Sequence, residues 1–115
     1  MKKLLWAAVF FIWGVSAVAA QNLPSITVVN DTGYTVYGVY ISPSAEEEWG
    51  EDVLGDIVLA PGEAFNVRLA YPLTVVNVYD ILLLDEDDDT YCKWEVTLTN
   101  NARISFTLED LEYQE

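Results

Sequence analysis

The sequence predicts an all-β fold, a small antiparallel β-sandwich of six or seven strands with one short helical turn near residues 44–49. Two observations support this prediction. Beyond residue 20, apolar residues alternate with polar ones and are mostly β-branched or aromatic, the pattern of half-buried strands. Turn signals rich in Gly, Asp, Asn and Pro interrupt these runs about every ten residues, a spacing that small sandwiches show.

The first 20 residues have the pattern of a secretory signal peptide. A positive MKK start, the apolar run LLWAAVFFIWGVSAV and the small residues AVAA precede Gln21. An uncleaved membrane anchor is the alternative, because an apolar run of roughly 17 residues approaches the lower limit for a spanning helix. The tandem small residues favour cleavage after Ala19 or Ala20. We therefore expect one domain over residues 21–115, periplasmic or secreted, with no membrane association after cleavage.

The predicted strands begin with a hairpin. Ile26 to Asn30 is the first strand and Tyr34 to Ile41 the second, joined by the turn Asp31 to Gly33. Gly38 lies inside the second strand and predicts a bulge or a close backbone approach.

The acidic stretch Ser42 to Gly55, SPSAEEEWGEDVLG, connects the second strand to the next. Ser44 to Glu47 matches the capping box S-x-x-E and predicts a helical turn ending near Trp49. Trp49 allows two interpretations. It anchors this crossing on the sandwich, or it offers an exposed platform for a ligand or partner. The anchor is favoured, because the large apolar area of tryptophan is usually buried by packing.

The later strands follow the same alternation. They are predicted over Ile57 to Leu59, Ala64 to Leu69, Thr74 to Leu84, Thr90 to Leu98 and Arg103 to Leu108, with Phe65, Val67, Leu69, Ile104, Phe106 and Leu108 facing inward. Thr74 to Leu84 is apolar on both faces, which is typical of a central strand covered on both sides. The acidic tail from Glu109 to Glu115 is expected to fray.

Cys92 is the one cysteine, so the chain cannot form an internal disulfide. Strand alternation places Cys92 with Trp94 and Val96 on an apolar face. We therefore expect a buried thiol that packs as a small hydrophobe, with a reactive or intermolecular thiol as the alternative.

Composition excludes several functions. The net charge of −14 becomes −16 when the signal takes Lys2 and Lys3 with it (three basic against 19 acidic residues). Such a field repels phosphate backbones and anionic lipid, so nucleic acid is not an expected partner. The chain has no histidine, which excludes Ser-His-Asp catalysis and the common zinc sites. A small domain with little helix also has little material for a deep cleft, so we expect no enzymatic activity.

The acidic turn at residues 85–89 is the candidate metal site. Asp85, Asp87 and Asp89 follow the pattern D-x-D-x-D, which gathers oxygen ligands around Ca²⁺. The match to an EF-hand is poor, since Thr90 takes the place of its glycine and Val96 that of its final glutamate. The alternative is a solvated hairpin turn, where aspartates form local backbone hydrogen bonds.

Five motifs resemble those of a group of small exported bacterial β-domains. They are N-D-T-G-Y (Asn30 to Tyr34), Y-I-S-P-S (Tyr40 to Ser44), W-G-E-D-V-L-G (Trp49 to Gly55), L-A-P-G-E (Leu59 to Glu63) and Y-D-I (Tyr79 to Ile81). The resemblance implies a single exported all-β domain and brings no activity, since that group has no established function. In similar sequences the acidic turn often contains glycine, as D-x-D-G-D, where this chain has Asp88.

Three functional hypotheses follow. The first is a non-catalytic binding or scaffolding domain for a protein partner, because a small aromatic-rich sandwich exposes strand edges. The second is calcium-dependent binding of a small ligand or polysaccharide through Asp85, Asp87 and Asp89. The third is a small hydrolase, which requires Asp52 and Asp56 to converge with the acidic turn in one cleft.

Overall fold

The computed structural model describes residues 23–112, which fold into seven strands and one short 3-10 helix. The strands are β1 (Ser25–Asn30), β2 (Val36–Pro43), β3 (Ala64–Arg68), β4 (Val78–Asp85), β5 (Thr90–Thr97), β6 (Ala102–Phe106) and β7 (Leu111–Glu112). One sheet has the order β3-β1-β6 and the other the order β2-β4-β5-β7. The predicted all-β sandwich is confirmed, and within the described residues no helix is long and apolar enough to cross a membrane. The predicted signal at residues 1–20 and the final three residues lie outside this range.

The two sheets enclose one main hydrophobic core. The three-stranded sheet contributes Ile26, Val28, Val67 and Phe106, and the four-stranded sheet contributes Val36, Val39, Tyr79, Ile81, Leu83 and Tyr91. Each fully buried side chain of this kind contributes roughly 1.5–3 kcal/mol, so the core can hold the sheets together without a disulfide. The predicted inward face of β3 is confirmed. The inward position predicted for Leu108 is wrong, because the chain turns into the 3-10 helix there and the side chain is exposed.

The predicted hairpin between the first two strands is wrong. β1 pairs with β3 antiparallel and with β6 parallel, while β2 pairs with β4 in the other sheet. The side chain of Asn30 stabilises this passage between the sheets. Its amide group donates to the carbonyls of Tyr34 and Leu59. Its Oδ1 accepts from the N–H and the hydroxyl of Thr32. The first turn therefore carries the chain from one sheet to the other.

β4 is the central strand that the sequence predicts. Ile81 and Leu83 face the main core, and Leu82 faces a second cluster with Trp49 and Cys92. Cys92 is buried as expected, but in this second cluster and not between the sheets.

A bulge changes the alternation along β5. Trp94 and Glu95 both stand opposite Asp80, because the register shifts between Tyr79 and Ile81. Glu95 takes φ 52° and its N–H donates to the Asp80 carboxylate at 2.8 Å. Val96 consequently packs against the main core. Simple alternation predicts that Val96 shares the face of Cys92, and this prediction is wrong.

Three further predictions on local structure are wrong. No helical turn forms at Ser44, whose N–H extends the β2–β4 pairing by donating to the Val78 carbonyl. In the predicted strand 57–59, only Leu59 pairs, through an isolated bridge to Val36. Residues 74–77 are not part of β4, since the chain there turns over Pro72, whose carbonyl accepts two backbone N–H groups.

The chain does not fray at Glu109. The 3-10 helix Leu108–Asp110 is capped by Thr107, with the reciprocal hydrogen bonds of a capping box, and β7 then pairs with the start of β5. A second support is the Lys93 ammonium, which lies 3.0 Å from the Asp110 carboxylate and 5.3 Å from the centre of the Phe106 ring.

Candidate functional site

The acidic turn between β4 and β5 is organised by Asp85. Its side chain is 2% exposed, and its Oδ1 accepts from the N–H groups of Asp87 at 2.8 Å and Asp89 at 3.0 Å. Its Oδ2 accepts from the buried Tyr91 hydroxyl at 2.8 Å. Burial and this bond to Asp85 raise the pKa of Tyr91 well above its usual value. Asp85 therefore has a structural role, satisfying three protein donors at once.

The structure brings the three predicted metal ligands together. One carboxylate oxygen from each of Asp85, Asp87 and Asp89 lies within 4.8 Å of the others, and among the described residues this is the one such group of three or more acidic, Cys or His side chains. Desolvation, and then the negative charges of Asp85, Glu86 and the other turn aspartates, raise the pKa of Asp87. A hard cation would relieve that repulsion.

Asp52 and Asp56 lie in the crossing between β2 and β3, outside this cluster. Asp52 is occupied by backbone hydrogen bonds: its Oδ1 accepts from the N–H groups of Val39 and Leu54, each at 2.9 Å. The convergence that the hydrolase hypothesis requires is therefore absent among the described residues, and nothing in the site geometry favours a pair of catalytic carboxylates.

Trp49 is placed as an anchor. Its side chain is 2% exposed and packs with Leu82 and Cys92, while its ring centre lies 5.6 Å from that of Trp94 with a tilt of 45°. Tilted aromatic pairs at this separation are favourable beyond the area that they bury. The crossing is thereby fixed to the outer face of the four-stranded sheet, and the Trp49 ring does not form an exposed platform.

The crossing also covers the outer edge of β2. The backbone N–H of Val39 donates to the Asp52 carboxylate, and the carbonyl of Val39 accepts from Val53. At Val36, both backbone groups bond to Leu59. Edge strands with unpaired backbone groups are templates for further pairing, and at Val36 and Val39 this edge is closed by the protein itself.

The outer edge of β3 is open. The hydrogen bonds of Glu63 to Asn30 and of Leu69 to Pro24 show that the odd-numbered residues bond towards β1. In an antiparallel ladder the alternate residues, Ala64, Asn66 and Arg68, then direct their N–H and C=O groups away from the sheet. No described residue pairs with that side of β3. The three residues are exposed, and the edge carries no proline.

Among the described residues paired across β3, β1 and β6, the outer face of the three-stranded sheet holds two arginines and no carboxylate. Ser25 lies opposite Arg68, and Thr27 lies between Asn66 on β3 and Arg103 on β6. Arg68 and Arg103 are exposed, and neither has an ion pair with a described residue. Sequence reasoning missed this face, because the only signal was the alternation within two strands whose pairing order is not written in the sequence.

Comparison with known proteins shows the fold and no family. No family model matches the chain, and the search of curated proteins found no match. Among solved structures, the NMR structure of a protein from Eubacterium rectale is similar, with a TM-score of 0.59 over 85% of this chain and 90% of that chain. The two sequences are 12% identical. The likeness supports the two-sheet β architecture and assigns no function.

Proposed function

We propose that this chain is an exported, non-catalytic binding domain that holds a protein partner by pairing an extended segment with the outer edge of β3. The observation that carries the proposal is the contrast between two edges of the sandwich. At Val36 and Val39 the β2 edge is closed by Asp52, Val53 and Leu59, whereas the β3 edge presents unpaired backbone groups at alternate residues. Strand addition to such an edge is a common mode of peptide recognition.

The strength of this binding follows from the balance between main-chain hydrogen bonds and the cost of ordering the added segment. An added strand can form about six main-chain hydrogen bonds with Ala64, Asn66 and Arg68, each contributing roughly 0.5–1.5 kcal/mol. Ordering five residues of the incoming segment costs roughly 1–2 kcal/mol per residue. The two sums are similar, so main-chain pairing alone gives weak binding. Side chains beside the edge must therefore supply the affinity and the specificity.

Selection from a displayed library of random peptides against the purified protein tests the proposal. We expect enriched peptides to bind the unaltered protein and Asn66→Ala, but not Asn66→Pro, because proline removes the outward N–H donor and is tolerated at an edge whose N–H has no partner. Ser105→Pro is the matched control. Ser105 is an exposed residue of β6, the strand at the opposite edge of the same sheet, so this substitution should leave binding intact. Equal binding to Asn66→Pro, or no enriched peptide at all, would overturn the proposal.

A second candidate function is calcium-dependent ligand binding through the acidic turn. The observation that favours it is the approach of Asp85, Asp87 and Asp89 to within 4.8 Å. If it holds, millimolar CaCl₂, the range of extracellular calcium modules, should raise the melting temperature of the protein. The double variant Asp87→Asn, Asp89→Asn should lose this rise, and Glu109→Gln should keep it. A melting temperature insensitive to calcium, with no heat on titration, would end this candidate.

A further inference from the structure

The two arginines on the outer face of the three-stranded sheet point to the chemistry of the partner. The chain has 19 acidic and five basic residues, so a cation placed without regard to function would commonly meet a carboxylate. Lys93 does so, in its pair with Asp110. Arg68 and Arg103 do not pair with any described residue, and they share one exposed face. We propose that the segment paired with β3 is acidic, with carboxylates that meet Arg68; this rests on the proposed edge binding.

Sheet geometry determines which partner residues meet this face. Side chains alternate between the two faces of a strand, so every second residue of an added strand lies beside Ala64, Asn66 and Arg68. A carboxylate placed opposite Arg68 can accept a bidentate, charge-assisted pair from the guanidinium. Arg103 lies two strands away from β3, or roughly 10 Å at the usual strand spacing, so it makes no contact with the added strand and contributes less than Arg68.

The other face of the same segment lies over the rim of the core. Phe65 is partly buried and packs against the main core, and Val67 is 7% exposed. Apolar residues at the alternate positions of the partner would extend this packing. The partner is thus an extended segment in which acidic and apolar residues alternate.

The overall negative charge opposes an acidic partner at long range, but it does not decide the outcome. At physiological ionic strength the Debye length is about 8 Å, so acidic turns on other parts of the molecule are largely screened. Arg68 acts at contact distance on the edge itself. The outer face carries no carboxylate among the residues paired across β3, β1 and β6.

Two synthetic peptides separate this inference from the proposed function. They share valine at alternate positions and carry glutamate in one and lysine in the other at the remaining positions, with blocked ends. Fluorescence anisotropy should show that the glutamate peptide binds the protein about two- to fivefold more tightly than the lysine peptide, which is the effect of one exposed ion pair. Arg68→Gln should remove most of this preference and Arg68→Glu should reverse it. Arg103→Gln should have a smaller effect than Arg68→Gln.

Each failure has its own meaning. If Asn66→Pro abolishes binding of both peptides but the lysine peptide binds equally or more tightly, edge pairing stands and the acidic partner is wrong. If both peptides bind Asn66→Pro unchanged, the edge itself is wrong. Alginate, an acidic polysaccharide, is the remaining probe. Alginate binding that depends on both arginines and ignores Asn66→Pro would overturn the assignment to a polypeptide. A dimer of the protein alone that Asn66→Pro dissociates would overturn it in favour of a second copy.

Discussion

Asn30 and Asp85 are among the most deeply buried side chains of the protein, although both are strongly polar. Each one ends a strand and accepts or donates several hydrogen bonds to the turn that follows. Burial of such groups is tolerated because every polar atom has a partner. At the scale of single residues, these two side chains determine where the chain leaves each sheet.

Asp88 gives the first prediction, because it takes a left-handed conformation with φ 65°. The left-handed conformation costs an L-residue roughly 1–2 kcal/mol, and aspartate less, whereas glycine has no such steric cost. We expect Asp88→Gly to raise the free energy of unfolding by about 0.5–1 kcal/mol, measured by chemical denaturation.

The matched control for this substitution is Asp88→Asn, which removes the same charge and keeps the side chain. If the gain comes from the backbone, Asp88→Gly is more stable than Asp88→Asn, and Asp88→Ala is the least stable of the three. Equal stability of the glycine and asparagine variants would assign the gain to charge alone and contradict the conformational account.

At the scale of elements, the crossing at residues 44–63 closes the β2 edge at Val36 and Val39 without forming a helix. Ser44 could have capped a helical turn, but its hydroxyl donates to the Asp80 carboxylate at 2.7 Å and its N–H joins the sheet. Tertiary hydrogen bonds and the packing of Trp49 outweigh a local capping preference that is worth about 1 kcal/mol. Glycine at position 38 leaves room for this arrangement, since a Cβ there would lie 3.1 Å from the Tyr40 ring.

The second prediction concerns the Asp52 carboxylate, which covers the β2 edge. Asp52→Ala leaves the N–H groups of Val39 and Leu54 without their acceptor, so we expect a loss of about 1–3 kcal/mol in the free energy of unfolding. Hydrogen exchange should show faster exchange of the Val39 amide than in the unaltered protein. Asp52→Asn keeps an acceptor oxygen and should lose less. An unchanged Val39 exchange rate in Asp52→Ala would show that the carboxylate does not close this edge.

At the scale of the whole molecule, charge is segregated. The net charge is −14, yet the paired residues that the structure describes on the outer face of the three-stranded sheet include Arg68 and Arg103 and no carboxylate. The acidic turn concentrates negative charge, and desolvation, followed by repulsion from the neighbouring carboxylates, raises the pKa of Asp87. Because this raised pKa belongs to the folded state, the stabilising contribution of protonated Asp87 is complete below its ordinary value of 3.8 and is lost as pH rises through the raised pKa.

The third prediction follows from this repulsion at neutral pH. Raising NaCl from low to moderate concentration should raise the melting temperature, because salt screens like charges in the compact state. The increase should be smaller in the variant Asp87→Asn, Asp89→Asn. Scanning calorimetry at several salt concentrations measures both. A melting temperature that falls with salt would mean that favourable ion pairs outweigh the self-repulsion.

Much of the fold could be predicted from local pattern, and the errors share one cause. Alternation identified β1, β3, β4 and β5, and apolar residues on both faces marked β4 as central. Alternation carries no information on which strands pair, and for this reason the prediction of a hairpin at the first turn is wrong. Pairing depends on contacts between residues far apart in the chain, such as Ile26 with Val67 and with Ala102. The approach of Asp85, Asp87 and Asp89 was predictable because one tight turn holds all three.

The sequence by itself determined the all-β character of the fold, the acidity of the protein and the exclusion of histidine-based catalysis, because these follow from residue type and from the period of the apolar residues. The tertiary structure decided which edges are open and which face holds the arginines. Arg68 and Arg103 are distant in sequence and meet on one face only because β1 lies between β3 and β6. Strand order is a long-range property of the packed core, and the candidate binding surface of this protein follows from it.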